Sequence, residues 1–93
     1  MRWIHILWDA DDDPNGNVQH IADNYLSKDD VQWVLEQDDV QWVLEHPERH
    51  AKSRSSGRRM LFGRTSTDEY VAVVDEEIDD DTVRPVTAYF VEE

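Results

Sequence analysis

Six of the nine basic residues, Arg49, Lys52, Arg54, Arg58, Arg59 and Arg64, fall within sixteen positions that contain no acid. Guanidinium groups are planar and carry several donors, so such a run is a candidate anion-binding patch. The competing reading is neutralisation, because 22 acidic residues offer these cations many partners. His46 and His50 have the four-residue spacing of a helical metal pair. Pro47 lies between them and no further ligands are evident, so no metal is assigned. Asp11-Asp12-Asp13 and Asp79-Asp80-Asp81 adjoin Pro14-Asn15-Gly16 and Thr82 and read as solvated turns. A calcium loop instead spaces its ligands at alternate positions around a defined glycine.

A chain of 93 residues has room for one domain with one modest core, and 39% hydrophobic residues, including four Trp, can fill it. Cysteine is absent, which excludes disulfides and thiolate chemistry. The net charge of −13 repels nucleic acid over most of the surface and disfavours anionic membranes. No apolar run approaches the roughly 18 residues of a membrane span. The first eight residues are too short and too soon acidic for a secretory signal. A cytoplasmic protein without cofactor is the simplest expectation.

Periodicity supplies the elements. Residues 2–8 read as a strand and 17–24 as a short helix, with Val18, Ile21 and Ala22 at helical spacing. Ser27 is a fitting N-cap for a helix from about Lys28 towards Glu45, ending before Pro47. Beyond it, residues 58–65, 69–78 and 83–91 read as strands of an antiparallel sheet joined by acidic turns. Pro85 marks an edge, a bulge or a strand start. The expected architecture is α+β, a small sheet packed against N-terminal helices.

Asp29 to Glu36 recurs letter for letter as Asp38 to Glu45, and Gln37 and His46 complete two nine-residue units, 29–37 and 38–46. Eight consecutive identities are not coincidence; this is a tandem duplication inside one helix. Nine residues advance a helix by about 900°, half a turn beyond two full ones. In a continuous helix at about 28–45 the second apolar stripe therefore faces away from the first. Leaving each large apolar group wet forgoes about 1.5–3 kcal/mol. One copy could loop out, the helix could extend and share its second stripe with another chain, or a swap could place each half on a different core. The expected outcome is a homodimer, domain-swapped, built around Trp33, Val40, Val43 and Leu44.

With one unit removed, the order of short motifs resembles the BrnT family, ribonuclease toxins of bacterial type II toxin–antitoxin pairs with a RelE-like fold. The motifs are Trp8-Asp9, Asn17-Val18-Gln19-His20, Gly63-Arg64-Thr65, Tyr70-Val71-Ala72-Val73-Val74 and Thr87-Ala88-Tyr89. The resemblance spans the chain, 1–93, as a single domain apart from the duplication. It implies an antitoxin partner and metal-independent RNA cleavage. That chemistry needs a proton acceptor for the 2′-hydroxyl and donors for the phosphorane oxygens. His20 is then the catalytic acid or base, Arg64 the catalytic cation, and Arg54, Arg58 and Arg59 the RNA phosphate-binding residues. The plainer readings are a surface or packed His20, and an ion pair of Arg64 with Glu69 or Asp75.

Two cations of the family pattern are replaced here, by Gln19 and Tyr89. Weak or lost activity is therefore expected, and RNA is a partner only of an active protein. A non-catalytic interaction module, or a swapped oligomer with no enzymatic role, is the alternative.

Overall fold

The structure, a computed structural model, describes residues 5–45, 51–52, 57–79 and 81–92, and the side chains of all of these except 41, 43–45 and 51–52. Its long strands are β3 (Arg59–Arg64), with the apolar Met60-Leu61-Phe62, and the β-branched runs β4 (Tyr70–Glu77) and β5 (Thr82–Phe90). Two-residue strands flank them, β1 (His5–Ile6) and β2 (Ala51–Lys52). The sheet order is β1-β5-β4-β3-β2, parallel between β1 and β5 and antiparallel elsewhere. Among the described residues of the expected first strand, 5–6 pair, His5 with Thr82 and Ile6 with Val83; residues 1–4 lie outside the described set.

Alternation divides the sheet into two faces. Leu61, Val71, Val73, Val83 and Ala88 turn towards the helices and form the core with Ile21, Leu26, Val31, Val34, Leu35 and Val40. The opposite parity, Met60, Phe62, Arg64, Tyr70, Ala72 and Val74, lines the other face. Pairing runs from Val74↔Thr87 to Asp75↔Pro85, so Val86 is an extra residue and Pro85 borders a bulge. The two aspartate runs lie at turns. Asp13 accepts from the Asn15 N–H at 3.0 Å, and Asp79 from the Asp81 N–H at 2.9 Å.

Helix α1 (Asn17–Asp23) ends in a left-handed Tyr25, φ 65°, with the Leu26 N–H returning to the Ile21 carbonyl at 2.9 Å. Ser27 caps α2 (Lys28–Leu35) in a capping box. Its hydroxyl accepts from the Asp30 N–H, and the Asp30 carboxylate accepts from the Ser27 N–H.

The extended helix is not seen. The Gln37 N–H bonds to the Val34 carbonyl, a tightened i→i−3 turn, and α3 (Asp38–Glu45) starts anew with the second unit. The break forfeits the i→i−4 bonds of residues 37–40, about 1 kcal/mol each, with Gln37 regaining one to Val34. Turning Val40 inward to 1% exposure, worth about 1.5–3 kcal/mol, offsets that loss together with two bonds of the Gln37 side chain. Val40 lands beside Val34 over Gly63, where a glycine leaves room for both valines. Gln37 meanwhile spans the backbone of Arg64, its amide nitrogen donating to the carbonyl and its oxygen accepting from the N–H at 3.3 Å. Val40 of the second apolar stripe is thus buried within the chain's own core.

Candidate functional site

Beyond the two residues of β1, the edge of β5 offers carbonyls that need donors, and α1 supplies them from one face. Asn17 Nδ2 donates to the Pro85 carbonyl at 2.9 Å, His20 Nδ1 approaches the Val86 carbonyl at 3.4 Å, and Asn24 Nδ2 donates to the Ala88 carbonyl at 2.9 Å. Their spacing, i, i+3 and i+7, is that of a single helical stripe. The histidine singled out for acid–base chemistry therefore helps dock a helix to a sheet edge.

The Trp-Asp and Asn-x-x-His motifs meet at the same place. The Asp9 N–H donates to Asn17 Oδ1 at 2.9 Å, and the Asn17 N–H donates to Asp9 Oδ2 at 2.8 Å. Asn17 Nδ2 also reaches the Leu7 carbonyl, so this buried side-chain amide meets three backbone partners. The backbone hydrogen bond from Asn17 holds the Asp9 carboxyl below its usual range. Arg84 adds to that by hydrogen bond and charge, and His20 by charge, against the effect of burial. Gln19, at a position where the BrnT-like pattern expects a cation, donates to the Asp11 carbonyl at 2.6 Å.

The face away from the helices carries aromatic rings and a ladder of opposite charges. Phe62 stacks on Tyr70 with centroids 6.1 Å apart, and Arg64 lies over the Tyr70 ring at 5.4 Å. Tyr89 shares this face, opposite Ala72. At the other end of the strands Arg58 approaches Glu76 at 3.6 Å, Glu76 accepts from Arg84 at 3.2 Å, and Arg84 bonds Asp9 at 2.7 Å.

The described arginines of the basic run are engaged with acids. Arg59 forms a bidentate pair with Asp75, 2.7 and 2.9 Å, and the carboxylate is 0% exposed. That pair occupies one edge of the guanidinium and competes with the phosphate-binding role expected of Arg59. Arg58 pairs with Glu76. Arg64 sits 3.8 Å from Asp68 and donates to the Asp68 carbonyl at 3.1 Å. Arg54, His46 and His50 lie outside the described residues, as does Arg49.

The structure does not bring His20 and Arg64 together. Val86, whose carbonyl His20 approaches, adjoins Thr87, which lies in the row of Met60, four residues along and two strands across from Arg64. At roughly 3.3 Å per residue and 4.8 Å per strand, the backbone positions of Thr87 and Arg64 are about 16 Å apart.

Of the interface residues expected on the duplicated segment, Trp33 is exposed and Val40 belongs to the chain's own core. The side chains of Val43 and Leu44 are outside the description. The docking roles of Asn17, Asn24 and Gln37 and the pairing of Asp75 with Arg59 are what sequence reasoning missed. A signal existed for Asp75. Arg64 and Tyr70 face each other across the hairpin, and counting five residues outward from each reaches Arg59 and Asp75. Among the described residues no group of three or more His, Asp or Glu is arranged to hold a metal ion, and no helix is long and apolar enough to cross a membrane.

These elements define a small α+β domain with a five-stranded sheet. No known protein family, curated protein or solved structure matches the chain.

Proposed function

We propose that this chain is a BrnT-like interaction domain that has lost RNA-cleaving chemistry and works by docking a protein, an antitoxin-like partner being the class that the resemblance implies. The observation that carries the reading is that His20 approaches the Val86 carbonyl at the edge of β5, whereas Arg64 sits at the β3–β4 hairpin, a backbone distance of about 16 Å along the sheet. The two residues a cleavage mechanism would need to converge on one phosphate lie at different places on the sheet. The engagement of Arg58, Arg59 and Arg64 with carboxylates supports it. The net charge of −13 adds a long-range term against RNA approach. The rings of Phe62, Tyr70 and Tyr89 give the open sheet face the aromatic character common in protein-binding surfaces.

The test is fluorescence anisotropy with labelled single-stranded RNA in about 0.1 M salt. The expected result is no saturable binding at tens of micromolar protein. Saturable binding that weakens steeply with salt and vanishes on Arg64→Ala would refute the reading.

A further inference from the structure

The two units are identical over eight residues, yet they occupy different places in the fold. The first fills a seat over β3 and buries Val31, Val34 and Leu35, while the second restarts as α3 and buries Val40. The eight shared side chains do not distinguish the copies, so flanking residues decide which one takes the seat. Ser27 caps the first copy in its capping box, and nine residues on that position is Glu36, a poor cap. Gln37 spans the Arg64 backbone, and nine residues on stands His46. Val40 packs beside Val34 over Gly63, and nine residues on stands Arg49, beyond a proline that a helix interior does not carry.

We propose that the chain has two registers. A nine-residue slip brings residues 38–45 into the seat of 29–36, with Val40, Val43 and Leu44 in the places of Val31, Val34 and Leu35. The connections permit it. Gln37 sits at Arg64 and Ala51 pairs with Met60. The end of the seat and the start of β2 are therefore four residues apart along β3 and one strand across, about 14 Å. After the slip His46 stands in the place of Gln37, and the five steps from residue 46 to residue 51 reach about 17 Å. Upstream, residues 27–35 become a loop, and closure entropy rises only slowly with loop length. The observed register prevails because the slip gives up the Ser27 box, the Gln37 bonds and the burial of Val40, and leaves the apolar residues of one copy in water. The device is a sliding helix whose occupancy follows the free-energy difference between the registers.

The test reads amide hydrogen exchange by NMR, urea midpoints and molar mass on variants of the full chain. Val34→Asp places a carboxylate in the seat and expels the first copy. The expected result is loss of protection over residues 29–36, with protection kept in α3 residues and in β3, β4 and β5, at the parent's molar mass. Val31→Asp and Leu35→Asp should share the urea midpoint of Val34→Asp, because after the slip each substituted residue lies outside the core. Val34→Asp combined with Val43→Asp should lose the sheet, since neither copy then fits. Deletion of residues 29–37, which leaves only the second copy for the seat, should keep the sheet. A Val34→Asp chain that loses its sheet, or that keeps residues 29–36 protected, would overturn the proposal. So would a deletion variant that does not fold, three unequal midpoints, or a double variant that stays folded. A doubled molar mass in Val34→Asp would assign the rescue to exchange between chains and overturn it too.

Discussion

Gly63→Ala probes the contact that lets one chain absorb both repeat units. A Cβ built at Gly63 would lie 2.9 Å from Val34 Cγ1, 3.0 Å from Gln37 Oε1 and 3.3 Å from Val40 Cγ2. Carbon–carbon contacts favour about 3.5–4.0 Å, so α2 and α3 would both have to retreat by about half an ångström. Overpacking of this kind costs about 1–3 kcal/mol. The lower entropy of an unfolded chain with alanine returns about 0.4–1 kcal/mol. The net expectation is a destabilisation of about 1–2 kcal/mol, which for a domain this size lowers Tm by about 4–16 °C. Thermal and urea unfolding followed by circular dichroism measure it. Val34→Ala combined with Gly63→Ala should cost less than the sum of the single changes, because the shortened side chain makes room for the methyl. A Gly63→Ala protein as stable as the parent would refute the placement of the two helices over β3.

Arg59→Ala leaves the fully buried Asp75 carboxylate without its bidentate partner, and urea unfolding should report a loss of about 3–5 kcal/mol. Tyr25 holds φ 65° while 90% exposed, so Tyr25→Gly relieves backbone strain at little packing cost and should raise stability by up to about 1 kcal/mol, read as a higher Tm. Because the Asn17 N–H and then Arg84 hold Asp9 below its usual range, Asp9 stabilises the fold fully above the unfolded carboxyl pKa of about 4. That contribution is lost as pH falls through the lower folded value. Asp79, lowered by the Asp81 N–H, acts in the same direction. Urea midpoints between neutral and acid pH should fall towards acid, and Asp9→Asn should reduce that slope without abolishing it.

The strands were legible because β-branched runs between acidic turns leave few alternatives, and Ser27 announced its helix through a side chain that must accept from the N-terminal N–H groups. The break at Glu36–Gln37 was not legible. Helical periodicity describes a helix in isolation, whereas the break depends on where Gly63 and the Arg64 backbone lie in the sheet. The face of α1 was visible as a pattern, but the work of His20 depends on β1 ending after two residues and leaving β5 carbonyls to be satisfied. Arg59 shows the complementary limit. Clustering of cations along the chain suggested an anion site, while hairpin register had already placed a carboxylate beside this one. Charge read along the sequence missed a partner that lies across the sheet.

The proposed loss of RNA-cleaving chemistry is tested most directly by incubating labelled single-stranded RNA with excess full-length protein, beside the His20→Ala and Arg64→Ala variants. The predicted result is intact RNA, with the parent indistinguishable from both variants. Cleavage by the parent that either substitution abolishes would contradict it.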